Sequence, residues 1–420
     1  MSLRRRQGLR ALALAVVAAA FLTAFASTGS AQISFGKMRD ASEKRAEAPK
    51  TEDEEDEAFE VDPNERATTK TKPAASANRE SEIANQSEDG DEPLPAPGKR
   101  TRKTTTRNAK SEEGNAENAA PANGKRGPVF GKAITHKYRA GMIFRAAANG
   151  ACANVVGTAP VPMDFPEQKV RTLEEEFPRQ AKVDYRDVKE GGARQLVFKM
   201  RELKAGQGVQ ATALYEVVRY PMSPPTEPEI YEIPKKVPNE IRRYLKAGPY
   251  IESGSKAVRS LAKQALADAD GAWEKVDAIF KYVRENVQYK EILVEKPMRG
   301  ALAAIKAREG DCEDQCALFI AMCRASDIPA RLVRVPGHCW AEFYLVDDEK
   351  NGYWFPAQVA GTEPLGSLQD ARVILQKGDS FHLPETPKEE SLYVKELFMG
   401  NVKDGGGDPE HQFIQETDPN

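Results

Sequence analysis

The hexapeptide Gly310-Asp311-Cys312-Glu313-Asp314-Gln315 is followed by Cys316, Ala317, Leu318, Phe319, Ile320 and Met322. No other stretch restricts the fold so tightly. The apolar residues recur at helical spacing, so the run predicts a core-facing helix that opens at the hexapeptide. Residues 301–308 read as a preceding helix that stops at Gly310. Asp311 is the expected N-cap, its carboxylate accepting from an orphan amide. Cys312 then stands in the first turn, where the helix dipole favours a thiolate and lowers the thiol pKa. Taken alone, a cysteine is more often a small buried hydrophobe. Its neighbours in sequence must decide.

About twenty-five residues on comes Val335-Pro336-Gly337-His338-Cys339-Trp340-Ala341-Glu342-Phe343-Tyr344-Leu345. Alternation makes this a strand, with His338, Trp340, Glu342 and Tyr344 on one face. Gly352-Tyr353-Trp354-Phe355-Pro356-Ala357-Gln358 reads as a second strand after a charged turn. A thiol at a helix start that faces an imidazole on a strand is what a cysteine nucleophile requires. The imidazole takes the proton, and a third polar group holds the ring.

Four pieces stand in this order: Gly310-Asp311-Cys312 at a helix start, Ile328-Pro329-Ala330-Arg331 after the helix, Gly337-His338-x-Trp340-x-Glu342 on a strand, and Trp354-x-Pro356. Together they resemble the bacterial transglutaminase-like superfamily over residues 230–399. The resemblance implies an α+β fold with a papain-like core, helices packed on an antiparallel sheet. It implies Cys312 as nucleophile, His338 as base, and a third residue two positions after the proline. The family carries aspartate there; this chain carries Gln358. An amide can orient the ring but supplies no charge to an imidazolium. Papain-like proteases work with an asparagine, so Gln358 is compatible with activity and also with a degenerate enzyme.

The implied chemistry is acyl transfer through a thioester, on a protein or peptide substrate that carries an amide. Water as acceptor makes a peptidase or deamidase; an amine makes a crosslink. The competing class is a weak or inactive binding module that kept the fold. The oxyanion donors are the Cys312 amide and a second group that the residues do not reveal.

Elsewhere the chain is less specific. Arg4, Arg5 and Arg6 precede an apolar run, 11–26, too short for a comfortable membrane span, so 1–31 reads as a signal peptide and the protein as exported to the periplasm or cell envelope. An uncleaved membrane anchor is the alternative. Residues 32–128 are charged and nearly devoid of large apolar side chains, which predicts a disordered linker. The acidic run 52–57 and the basic cluster near Arg100 are a solvated spacer, or a tether that touches cell-envelope polymer. A net charge of −3 argues against nucleic acid, and no glycine-rich phosphate loop appears.

Alternating runs at 137–144, 183–185, 195–200 and 210–220 predict a β-sandwich over 129–228, with Pro160, Pro162 and Pro166 in a loop. The catalytic core is expected over 229–399, with helices at 255–267 and 271–287, a strand at 373–375 and a turn at 379–383. Glycine, aspartate and proline from Gly400 onward predict a frayed tail, 400–420.

The five cysteines, Cys152, Cys312, Cys316, Cys323 and Cys339, are an odd number, so at least one is free or paired between chains. Cys316 and Cys323 read as core. Cys312, Cys316, His338 and Cys339 number four soft zinc ligands, but adjacent strand residues point to opposite faces, so His338 and Cys339 are poorly placed to share an ion. The expectation is no metal and no cofactor. His382 is a rival base, His136 is isolated, and Trp340 and Trp354 are expected to pack beside the imidazole.

Overall fold

The computed structural model describes residues 126–291, 298–403 and 405–419. The expected signal peptide and the expected linker as far as residue 125 lie outside the described residues. The N-terminal half consists of strands β1 (Val129–Phe130), β2 (Ile134–Arg145), β3 (Cys152–Val161), β4 (Gln168–Glu176), β5 (Lys182–Asp187), β6 (Arg194–Leu203), β7 (Gly208–Arg219) and β8 (Met222–Ser223). Helices follow: α1 (Asn239–Arg242), α2 (Lys256–Ala265) and α3 (Ala272–Asn286). Then come β9 (Gln288–Tyr289), α4 (Ala301–Ala307), β10 (Glu309–Gly310) and α5 (Cys312–Ala325). The chain continues through β11 (Ala330–Val335), β12 (His338–Val346), β13 (Gly352–Ala357), β14 (Gln376–Lys377), β15 (Leu397–Val402) and β16 (Glu410–Thr417).

Two antiparallel sheets, ordered β16-β2-β7-β4 and β15-β3-β6-β5, share one apolar cluster. Period-two alternation puts Ala211, Ala213, Tyr215 and Val217 of β7 into that cluster, opposite Leu196 and Phe198 of β6. Phe144 of β2 meets Phe198 edge-on, ring centroids 5.3 Å apart.

Three expectations for this half fail. Pro160 lies within β3 rather than in a loop. Proline has no N–H to donate, but pairing of β15 on β3 ends at Thr158, so one side of Pro160 has no partner strand to disappoint. Residues 373–375 alternate without being a strand. Val373 and Leu375 enter the two-sheet core, whereas Ile374 points into a second cluster with Trp340. Its backbone is held by one side chain: Gln168 Nε2 donates to the Ile374 carbonyl at 2.9 Å, and the Ile374 amide donates back to Gln168 Oε1 at 2.7 Å. The strand forms one step later, at β14, against β11.

The third failure is the tail. The described part of the expected tail is largely paired: β16 pairs with β2 from Glu410↔Arg145 to Thr417↔Tyr138, and β15 pairs with β3. Gly405, Gly406 and Gly407 read as tail composition but serve a close approach, since a Cβ at Gly150 would lie 2.6 Å from the Gly406 Cα. Only Phe413 and Ile414 in β16 are large and apolar, so an edge strand of this kind carries little hydrophobic signal.

In the second half the sheet β13-β12-β11-β14 covers one side of α5, and α2, α3 and α4 cover the rest. Ser255 caps α2 by accepting from the Val258 amide at 3.1 Å. α4 stops at Arg308, whose left-handed φ of 53° ends it before Gly310. At the far end of α5, Arg324 and Asp379 form a buried pair, Nη2 to Oδ2 2.7 Å, each side chain 1% exposed. Arg324 also donates to the carbonyls of Ala330 and Lys246, so one guanidinium joins α5, β11 and the loop after α1.

Truncation after Lys403 removes β16 and leaves β2 as an open edge. We expect the melting midpoint to fall by about 5 °C or more, with new self-association through the exposed edge. Calorimetry and sedimentation check this; an unchanged midpoint would return 404–420 to the status of a tail.

Candidate active site

The start of α5 is held from three directions. Asp311 Oδ1 accepts from the Glu313 amide at 3.0 Å and the Asp314 amide at 3.1 Å, as an N-cap does. Asp314, fully buried, takes Arg299 Nη2 at 2.7 Å and also accepts from the Arg299 and Gly300 amides. Gln315 Nε2 donates to the Val287 carbonyl at 2.7 Å, which ties the turn to the end of α3. Gly310 is required for packing, since a Cβ there would meet the Asp314 Cβ at 2.6 Å. These bonds fix Cys312 at the edge of the core, half-buried, while α5 beyond it is buried to Arg324.

His338 opens β12 directly after Gly337, whose φ of 70° suits glycine. Its Nε2 lies 3.0 Å from Gln358 Oε1. An amide oxygen only accepts, so Nε2 donates and Nδ1 keeps the lone pair. Cys312 and His338 act on each other's ionisation: the thiol raises the imidazole pKa and the imidazole lowers that of the thiol. Gln358 follows β13 directly and is buried. Its loop is braced by Arg284 of α3, which donates to the carbonyls of Gly361 and Glu363. The structure therefore brings Cys312, His338 and Gln358 together in the order thiol, imidazole, amide.

A family model described as the transglutaminase-like superfamily matches residues 259–359, from α2 to the residue after Gln358. These residues form a transglutaminase-like core. No curated protein matches the sequence. A solved structure described as a candidate cysteine protease from Cytophaga hutchinsonii is 17% identical, with 69% of this chain and 92% of that chain covered and a TM-score of 0.47. Another, described as a candidate protease from Parabacteroides distasonis, is 13% identical, with 56% and 44% covered and a TM-score of 0.23.

The electrostatics of this transglutaminase-like core depart from expectation at Cys312. Its thiol is held well above the ordinary range, not below it. The first cause is a bond with the Cys339 thiol and the second is burial; His338 pulls the other way without prevailing. His338 itself is lowered by burial, but its bonds with Cys312 and Gln358 outweigh that and leave it raised. The resting pair is thus a neutral thiol beside a basic imidazole.

Cys339 is buried in the core around α5. Alternation puts it on the face opposite Trp340, toward α5. His338 and Cys339, the first two residues of β12, both act on the ionisation of the Cys312 thiol. Among the described residues no group of three or more His, Cys, Asp or Glu has metal-holding geometry.

Other candidates lie elsewhere. His382 is exposed and bonds Glu190, Nδ1 to Oε1 3.3 Å. Trp340 packs with Met222, Leu368 and Ile374. Trp354 lies under the Arg331 guanidinium at 3.9 Å, against Tyr244 and Tyr344. Glu342 is a structural acid, buried between Arg331 at 2.7 Å and Lys377 at 2.5 Å. Tyr289 was not singled out from sequence. It is 55% exposed and lies across the β9–β10 pair from Gly310.

Because the Cys339 thiol is the main cause that holds Cys312 up, Cys339→Ala should lower the Cys312 pKa. The rate of iodoacetamide alkylation at Cys312 should then rise by about tenfold at pH 8, the effect of one pKa unit on thiolate fraction. Peptide mapping reads the site directly, since the other thiols are buried. An unchanged rate would mean that Cys339 does not govern Cys312.

Proposed function

We propose that the protein is an exported, thiol-dependent enzyme of the transglutaminase-like kind, which transfers or hydrolyses the acyl group of a protein or peptide amide. Cys312 attacks the carbonyl, His338 first takes the thiol proton and then gives it to the leaving amine, and Gln358 keeps the imidazole in the required tautomer. One observation carries the reading: His338 Nε2 lies 3.0 Å from Gln358 Oε1, and the same imidazole and the Cys312 thiol shift each other's pKa. The two-sheet half is read as a packing or substrate-presenting module ahead of the catalytic core. Export is supported by Arg4 to Arg6 and the apolar run behind them, and the charged stretch 32–125 by its composition as a tether toward cell-envelope polymer. No helix among the described residues is long and apolar enough to cross a membrane.

A second reading, a module that binds rather than turns over, is favoured by Gln358 standing where a charged residue would stabilise imidazolium, and by the raised Cys312 thiol. A thiol-alkylating probe separates the two. Under the enzymatic reading, Cys312→Ala abolishes labelling, and His338→Ala slows it by about 10²-fold at neutral pH, the usual worth of a positioned base. Gln358→Ala slows it less, and Gln358→Asp speeds it by adding charge beside the ring. If all these variants except Cys312→Ala label like the parent, the binding reading stands.

Export has its own test. N-terminal sequencing of the mature protein should start near Ser27 or Gln32. A chain that keeps Met1 and sediments with membranes would replace the cleaved signal with an anchor.

A further inference from the structure

Lys377 of β14 is enclosed, its side chain 2% exposed. Its Nζ touches two carboxylates that are just as enclosed: Glu342 of β12, at 2.5 Å, and Glu167, the residue before β4. The Phe165 ring lies 5.1 Å from the same nitrogen. The two carboxylates are not equivalent. Glu342 Oε2 accepts from Arg331 Nε at 2.8 Å and lies 2.7 Å from Nη2, and Glu342 Oε1 takes the hydrogen bond from Lys377. Glu167 Oε1, against the same Nζ, makes no hydrogen bond among the described residues. A buried ion pair offsets its desolvation only through well-directed bonds, and the Lys377–Glu167 contact lacks one. An amine thus stands in a dry site against a carboxyl oxygen that is not hydrogen-bonded, with a second carboxylate on the same nitrogen.

We propose that Lys377 and Glu167 condense to an internal amide, a cross-link formed within the folded chain with Glu342 as proton carrier. First a proton passes from the Lys377 ammonium to the Glu167 carboxylate, which leaves an amine beside a carboxylic acid. The Nζ lone pair then attacks Glu167 Cδ and forms the N–C bond. Glu342 takes a second proton from Nζ and delivers it to the Glu167 hydroxyl. The C–O bond breaks and water leaves. An ammonium and a carboxylate have become one amide and one water, with no change in oxidation state and no co-reactant.

The site suits this product. Condensation removes two charges from a dry volume and leaves the Arg331–Glu342 pair balanced. The fold holds both groups in contact, which replaces a bimolecular encounter. Enclosure keeps water from returning to the bond. Glu342 is not the acyl partner, because the guanidinium of Arg331 keeps it ionised, and an ionised carboxylate is a poor target for an amine. The amide joins the sheet that covers α5 to the two-sheet half. No disulfide does so, since all five cysteines are free thiols. The chemistry is independent of Cys312.

Tryptic mapping of the purified full chain, incubated overnight before digestion, reads the bond. The expected product is a branched peptide, 146–169 joined to 373–388, lighter by one water than the two together and uncut after Lys377. Fragmentation should assign the branch to Glu167 and Lys377. Lys377→Met and Glu167→Ala should abolish it, and Glu342→Gln should slow its appearance by about 10²-fold, the usual worth of a positioned proton carrier. Cys312→Ala should keep it. A parent that yields linear 146–169 and is cut after Lys377 overturns the proposal, and this result stands even where a variant fails to fold. A branch lost in Cys312→Ala also overturns it, by making the bond a product of the thiol site. A branch that forms at the parent rate in Glu342→Gln overturns the role of Glu342.

Discussion

A helix buried on every side must be enclosed, and the whole second half of this protein is arranged to enclose α5. From Asp314 to Arg324 the helix has no exposed residue. Side chains such as Leu318, Phe319 and Ile320 each contribute roughly 1.5–3 kcal/mol by leaving water, but only if both a sheet and other helices cover them. Its polar ends then need partners inside the protein. Asp311 and Asp314 meet backbone amides and Arg299 at one end, and Arg324 meets Asp379 at the other. Removing one partner of such a buried pair typically costs about 3–5 kcal/mol. Cys312 owes its fixed position to this anchoring more than to any bond of its own.

The sheet that covers α5 is tied in turn to the two-sheet half by buried polar groups. Lys377 of β14 is enclosed between Glu342 of β12 and Glu167, the residue before β4. Arg219, at the end of β7, donates to the carbonyls of Glu167, Asp370 and Arg372. A buried cation is costly unless fully paired, so these groups demand a single arrangement of the chain around them. The segment 370–377 is the seam: it fills the two-sheet core, the Trp340 cluster and the edge of β11 in turn. His338 and Cys339 stand on the strand that this seam supports.

At the site itself two opposed influences meet on one sulfur. The imidazole draws the thiol toward ionisation, whereas the second thiol and burial hold it protonated. Gln358 adds orientation without charge. Burial and the second thiol prevail, so the Cys312 thiol is protonated at rest. Glu313, next to Cys312, is likewise taken up by Tyr393, whose hydroxyl donates to it at 2.6 Å. Glu313 is therefore bonded to Tyr393 rather than to the imidazole.

Periodicity in the sequence was enough to determine α5 and its cap, β11 to β13, α2 and α3, because each is a local pattern whose hydrophobic period survives in the fold. The order of Gly310-Asp311-Cys312, Gly337-His338 and Trp354-x-Pro356 was enough to bring the thiol, the imidazole and Gln358 into one place. Tertiary structure decided the rest. β15 and β16 exist because β3 and β2, distant in sequence, give them partners, and a polar edge strand has no signal apart from its partner. Pro160 is tolerated in β3 only because the neighbouring strand stops at Thr158. The direction of the Cys312 shift depends on a thiol twenty-seven positions away in sequence and on burial. Such outcomes follow from which groups share a dry volume, and a one-dimensional pattern does not record that.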